Sequence, residues 1–240
     1  MSVLKKQIKN FPSLHNFQKI IRYKLAILNI KNSDHLVDIH FKFLAKQGFQ
    51  NIELFKKLFQ NSNPHSLNIF ETGSSANWGA NSSLLFDAYV KIFGGKFVTV
   101  DLRNTANKYL NNRFSKFSKS YIDDGLNFIK NTNQEFLKRL DVVYLDSYDL
   151  DINDPYPSME HGLKEFLEID KYISKGCLVA VDDTPNEEAF NKYLKWQLNS
   201  KEDILPLELI PGKGSLILVH QVMKNYELIY QYYGIILRKK

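Results

Sequence analysis

Five short apolar runs in this chain each end in an acidic residue, and each is followed by a helical pattern. They are Leu67 to Phe70 before Glu71, Lys96 to Val100 before Asp101, Phe117 to Ile122 before Asp123 and Asp124, Asp141 to Leu145 before Asp146, and Cys177 to Val181 before Asp182 and Asp183. Helical patterns follow over about 81–93, 105–112, 126–137, 158–172 and 186–198. Strand-then-helix alternation puts strands side by side and parallel, with helices on both faces. The acids then stand together along one edge, the carboxyl ends of the strands, where open α/β sheets bind ligands.

The first unit carries the most information. Phe70-Glu71-Thr72-Gly73-Ser74-Ser75 leaves a strand through a glycine and small polar residues before a helix begins near Asn81. Such a turn exposes free backbone N–H groups to a nucleotide-like ligand. A lone acid at a strand end is ordinarily a helix cap. Five sets in register favour a site for polar, cationic or hydroxyl-bearing ligands.

After 198 the pattern changes. Ile204 to Ile210 and Ser215 to His220 read as two strands separated by Pro211-Gly212-Lys213-Gly214. That connection is too short for a helical crossover, so it predicts an antiparallel hairpin. Residues 222–237 fit either a final strand or a packing segment.

Residues 1–64 read as a helical cap or dimerisation segment, and residues 65–240 as the ligand-binding domain. Phe17, Ile20, Ile21, Leu25 and Leu28 recur at helical spacing. A second helix spans Leu36, Ile39, His40, Phe43 and Leu44, with Ser33 or Asp34 as N-cap and Gly48 as its stop. A third covers Ile52 to Phe59, and Pro64 follows it. His35 and His40 are read as surface or packing residues on these helices.

Charge separates the two parts. Residues 1–33 hold seven basic side chains and no acid, while the whole chain of 240 residues carries +6. The basic arm is either a solvated helix face or a contact for anionic lipid, nucleic acid or an acidic partner. The remainder is nearly neutral, which argues against nucleic acid as the bound substrate. The lone Cys177 sits in a strand, so an inert buried thiol is expected, and a chain without disulfides fits a cytoplasmic location. With 44% apolar and 24% charged residues, the composition is that of a globular protein, and no run approaches the roughly 18 to 20 apolar residues of a membrane span.

The strand-end motifs FETGSS, VTVDL, YIDDGLNFI, DVVYLDSYD and LVAVDDT resemble those of the class I S-adenosylmethionine-dependent methyltransferases. Within that class the chain is most similar to the small metal-dependent O-methyltransferases of the macrocin and catechol type. The resemblance covers roughly residues 65–220. It implies a doubly wound, mostly parallel seven-stranded α/β sheet, Rossmann-like, of order 3-2-1-4-5-7-6 with the last strand reversed. It implies S-adenosylmethionine as cofactor, held by Glu71, Thr72, Gly73, Ser74, Ser75, Asp101, Leu102, Asp124, Gly125 and Asp146. Asp146, Asp182 and Asp183 match the family's ligands for Mg²⁺ or another divalent cation. The chain departs from the family's glycine-rich turn, placing Ser75 and Asn77 where glycines are usual.

The reaction implied is methyl transfer to a hydroxyl of a sugar or other small molecule, assisted by the cation. Asp149 and His161 are the candidate bases, the first on the loop after Asp146 and the second in the next helix. Tyr148, Tyr156 and Trp78 are candidate ring contacts. Two rivals stand beside this reading. A nicotinamide-dependent Rossmann enzyme needs GxGxxG after the first strand, where this chain has GSSANWG. A non-catalytic cofactor-binding scaffold would place function in the basic arm. A homodimer built by the helical block is compatible with all three.

Overall fold

The computed structural model describes residues 21–62, 66–75, 79–198 and 209–240. Seven strands form one sheet of order β3-β2-β1-β4-β5-β7-β6. They are β1 (Leu67–Thr72), β2 (Gly95–Asp101), β3 (Ser118–Ile122), β4 (Val142–Leu145), β5 (Leu178–Val181), β6 (Tyr226–Gln231) and β7 (Ile235–Lys239). Strands β1 to β5 pair in parallel, and β7 runs antiparallel to both β5 and β6. The order and the single reversed strand are those expected from the sequence.

From residue 33 onward the α-helices among the described residues follow in chain order. They are α1 (Ser33–Phe43), α2 (Ile52–Asn61), α3 (Ser82–Phe93), α4 (Asn104–Asn111), α5 (Gly125–Asn131), α6 (Gln134–Lys138), α7 (Tyr156–Asp170), α8 (Glu187–Leu198) and α9 (Ser215–Val219).

Period-2 alternation splits each central strand between two cores. Ile69, Val142, Tyr144, Leu178, Ala180 and Ile236 point into one, with Leu36 of α1, Phe55 and Leu58 of α2, and Phe86 of α3. Phe70, Val143, Leu145, Val179, Val181 and Leu237 point into the other, with Ile129 of α5, Phe166 of α7 and Ile217 of α9. Both faces of β4 and β5 are fully buried, which is why these strands read as unbroken apolar runs rather than alternating ones. Each such side chain contributes about 1.5–3 kcal/mol relative to exposure.

Helices α1 and α2 thus share a core with the sheet, and polar contacts fix how they lie over it. His40 Nε2 lies 2.8 Å from the Ala80 carbonyl, and Asn81 Nδ2 donates to the Leu44 carbonyl at 3.0 Å. Gly48 packs so closely on Ala80 that an added Cβ would come within 2.8 Å of its backbone.

Several sequence expectations are corrected. The segment 215–219 is helical, not a strand, and residues 209–210 are not in a strand; the rest of the other expected strand lies outside the described residues. The hairpin is instead β6–β7, in the segment 222–237 that the sequence left open. A five-residue apolar run carries no reliable period. Leu218 N–H donates to the Gly214 carbonyl, and burial of Ile217 in the core holds the helical turn. The single helix expected over 126–137 breaks at extended Thr132, because the Asn133 side chain accepts from Glu135 N–H and caps α6. The N-cap of α1 is Asn32, whose side chain accepts from His35 N–H at 2.9 Å. At the front of the chain, Phe17 and Ile20 lie outside the described residues. Ile21, Leu25 and Leu28 are exposed, while Tyr23 and Ile27 supply the buried face.

Candidate active site

Strand β1 ends in a turn that brings two backbones together. Gly73 has φ +78°, and a Cβ there would collide with the carbonyl of Asp146 at the end of β4. Its N–H donates to the Val100 carbonyl of β2 at 2.9 Å, and Asp146 N–H donates to the Thr72 carbonyl at 3.0 Å. Only glycine fits a left-handed position with backbone on its open side. The peptide beyond is held by side chains: Ser74 Oγ lies 2.7 Å from Thr99 Oγ1, and Ser75 N–H donates to Ser83 Oγ at 3.1 Å.

Glu71 stands beneath this turn. Its carboxylate is fully buried and accepts from Ser82 Oγ at 2.6 Å and Ser83 Oγ at 2.5 Å, both in the first turn of α3. Burial pushes its pKa up to about 7 against the pull of those hydroxyls. Thr72 is likewise buried, donating to Glu165 Oε2 at 2.9 Å. Both residues fix the turn from behind and do not line the cavity.

The cavity, of about 330 Å³, opens at the carboxyl ends of β1, β4 and β5. Of the residues singled out from the sequence, Gly73, Ser74, Ser75, Asp146, Asp149, Asp182 and Asp183 line it. Asp101 is reached through Arg103, which does line it: Arg103 Nε donates to Asp101 Oδ1 at 2.9 Å and Nη2 to Oδ2 at 2.6 Å. The same Nη2 donates to the Ser74 carbonyl at 2.8 Å, tying the ends of β1 and β2. Leu102 is exposed, and Asp124 caps α5 by accepting from Asn127 N–H. Gly125 abuts Thr72 and Glu165 so tightly that no side chain would fit.

His161 is not among the lining residues. Its Nε2 lies 3.3 Å from Glu165 Oε1, its ring packs against Tyr148, and the interaction with Glu165 raises its pKa. Buried Glu165 also accepts from Ser147 Oγ at 2.6 Å. Of the two candidate bases, only Asp149 faces the cavity. Trp78 lies outside the described residues, and Tyr156 is exposed at the start of α7.

Asp146, Asp182 and Asp183 converge as the sequence suggested, with ligand oxygens within 4.8 Å of one another. Asp182 is buried and receives Asn51 Nδ2 on both oxygens, at 3.1 and 3.3 Å. Lys213, 2% exposed, stands among the three, with Nζ 2.5 Å from Asp146 Oδ1 and 3.0 Å from Asp183 Oδ2. Burial pushes Asp146 up to about 7 although Lys213 opposes the shift. Burial and the neighbouring charges of Asp146 and Asp183 push Asp182 well above the carboxylate range. For Lys213 the carboxylates outweigh burial and hold the ammonium charged. One ammonium faces three carboxylates, of which Asp182 is buried and Asp146 and Asp183 are partly buried. Tyr148 at φ +62° and Asp183 at φ +42° follow β4 and β5 in left-handed conformations, strain of the kind that gathers at functional sites.

Lys213, Asn51 and Arg103 are the site residues that sequence reasoning missed. Glycines on both sides of Lys213 were a signal, read there as a turn. Arg103, two residues past an acid, was open to the same local reasoning. Asn51 comes from the helical block and carried no signal.

No protein-family model and no curated protein matches the sequence. Solved structures do match in fold. The MycE methyltransferase of the mycinamycin biosynthetic pathway, solved with Mg, SAH and mycinamycin VI, aligns at TM-score 0.56 and 12% identity over 88% of this chain and 55% of that one. This chain therefore spans about half the length of MycE. CalS11, a TDP-rhamnose 3'-O-methyltransferase of calicheamicin biosynthesis, aligns at TM-score 0.51 and 16% identity over 95% of both chains. An O-methyltransferase from Bacillus cereus, solved with SAH, aligns at TM-score 0.50 and 12% identity over 99% of this chain and 97% of that one. The fold is that of the S-adenosylmethionine-dependent methyltransferases.

Proposed function

We propose that this chain transfers a methyl group from S-adenosylmethionine to a hydroxyl of a sugar or another small molecule. The observation that carries the reading is the convergence of the Gly73 turn, Asp146, Asp149 and Asp183 around one cavity at the strand ends. The chain's residues suit that cofactor: a glycine turn that admits a close approach, a buried acid ending β2, and a capped turn after β3. When bound, the cofactor supplies an electrophilic methyl group on a sulfonium.

The protein's own part is to bind, orient and move one proton. Gly73 lets the β1 turn close against the β4 backbone at the cavity edge, where the amino-acid end of the cofactor would lie. The two oxygens of Asp101 are suited to a vicinal diol, once Arg103 yields them. Asp149, exposed on the cavity wall, is the base that takes the acceptor's proton. Glu165 holds Thr72, Ser147 and His161 behind that wall. The names of MycE and CalS11 support a sugar or macrolide acceptor.

Carboxylate oxygens of the kind gathered here suit Mg²⁺ or Ca²⁺ by chemistry. The position between Asp146 and Asp183, however, holds the Lys213 ammonium. As arranged, the three acids do not fit a divalent ion, and no step is assigned to one.

The test is calorimetric titration with S-adenosylhomocysteine. A micromolar Kd, about −8 kcal/mol, is expected. Absence of binding, with NADH binding detected by fluorescence in its place, would favour a nicotinamide enzyme. The reversed strand β7 between β5 and β6 already argues against the all-parallel sheet of that class.

A further inference from the structure

The segment 211–214 delivers one side chain to the cavity, and its surroundings are shaped to hold it there. Lys213 N–H donates to the Asp183 carbonyl at 2.9 Å, and Gly214 N–H donates to Thr184 Oγ1 at 2.8 Å. A Cβ on Gly162 of α7 would collide with the Lys213 carbonyl, and one on Gly212 would come within 2.7 Å of the Asp183 carbonyl. Glycine on the neighbouring helix and within the segment is what lets the Lys213 backbone sit this deep. Its Nζ donates to Asp146 Oδ1 at 2.5 Å and to the Asp146 carbonyl at 3.4 Å, and it forms an ion pair with Asp183 Oδ2 at 3.0 Å.

A divalent cation ligated by Asp146 and Asp183 would need the same place. With Nζ 2.5 Å from Asp146 Oδ1, metal–oxygen distances of roughly 2.0–2.6 Å would put it within about 5 Å of Nζ. Two cations so close in a buried site repel strongly. Withdrawing the ammonium would strand a clamped segment, because Lys213 is only 2% exposed.

We propose that Lys213 is the resident cation of this site, a positioning residue that orders Asp146 and Asp183, and that the chain works without a divalent metal. The part of this that concerns turnover rests on the methyl-transfer reading; the occupancy of the cation position does not. A metal keeps open coordination positions for acceptor oxygens, whereas the Lys213 ammonium is already held by oxygens of the chain itself. The acceptor class is therefore one that presents a single hydroxyl to the carboxylate wall rather than two adjacent oxygens to an ion.

Manganese uptake, followed by loss of the free-ion paramagnetic resonance signal, tests the occupancy directly. The wild-type chain is expected to take up no Mn²⁺ up to millimolar concentration. Lys213→Ala is expected to bind one ion at least tenfold more tightly than wild type, and to have its S-adenosylhomocysteine complex accompanied by bound metal. Stoichiometric binding of micromolar Mn²⁺ by wild type would overturn the proposal, as would a folded Lys213→Ala that binds none. If Lys213→Ala does not fold, Lys213→Met keeps the volume of the stem and answers the same question. If neither folds, the wild-type titration decides. Calorimetry with S-adenosylhomocysteine in parallel separates the two readings. Loss of cofactor binding alone would refute methyl transfer and leave the Lys213 assignment standing.

Discussion

The guanidinium of Arg103 closes two parallel hydrogen bonds on the carboxylate of Asp101, at 2.9 and 2.6 Å, and so covers both oxygens of the acid that ends β2. A ligand with paired hydroxyls competes with that clasp. The Arg103 side chain is half exposed, so the pair is screened by solvent and worth no more than about 1 kcal/mol. Arg103→Ala should tighten S-adenosylhomocysteine binding by up to about fivefold, read by calorimetry. Weaker binding in the variant would make Arg103 a ligand contact in its own right. Asp101→Asn should weaken binding by at least about tenfold, the loss of a hydrogen bond to a charged group.

Gly73→Ala tests the turn itself. The substitution meets both a φ of +78° and the Asp146 carbonyl. Strain and collision together should cost at least about 2 kcal/mol, seen as a fall in Tm, with loss of cofactor binding. A variant of wild-type stability would place the β1–β4 contact elsewhere.

The two candidate bases separate by position. Asp149 lines the cavity, while His161 stands behind it on Glu165. Asp149→Asn should lower kcat by about 10²-fold or more with little change in cofactor affinity. His161→Ala should change it less than tenfold. The reverse ranking in a methyl-transfer assay would exchange their roles.

His40 links acid stability to the cavity wall. It is buried, lies 2.8 Å from the Ala80 carbonyl, and burial lowers its pKa from 6.5 to about 4. Between those values the unfolded chain binds the proton and the folded chain does not. The contribution of His40 is therefore present above pH 6.5 and is lost as pH falls towards 4, by about 1.4 kcal/mol per pH unit. Subtracting the urea-denaturation profile of His40→Gln from that of wild type should isolate this slope. A flat difference would mean that His40 charges in the folded state.

The parallel strands and the row of acids were legible because both follow from local pattern, apolar runs long enough to be strands and a carboxylate wherever one stops, whereas the strand order followed from the resemblance to the methyltransferases. The three acids around Lys213 were foreseen for the same reason. What filled the space between them was not, because Lys213 arrives from a segment whose Pro-Gly-Lys-Gly spelling also describes a hairpin turn. Local pattern could not separate a short buried helix at 215–219 from a strand either, and that one ambiguity displaced the hairpin. Glu71 and Thr72 show a further limit. Sequence placed them at the correct turn, but whether a side chain faces the ligand or the layer behind it depends on Ser82, Ser83 and Glu165, which belong to other elements. Asn51 was invisible because its partner Asp182 lies 131 residues away.

That separation bears on the order in which the molecule assembles. The cavity is walled by Asn51 from the beginning of α2, by Asp146 and Asp182 from the middle of the chain, and by Tyr233 from the turn between β6 and β7. Strand β5 acquires its second neighbour only when residues 235–239 arrive. Contacts between distant stretches are closed late, after the loop entropy that opposes them has been overcome. The pocket exists only where stretches from residue 51 to residue 233 have come together, so ligand binding reports that both ends of the described fold are in place.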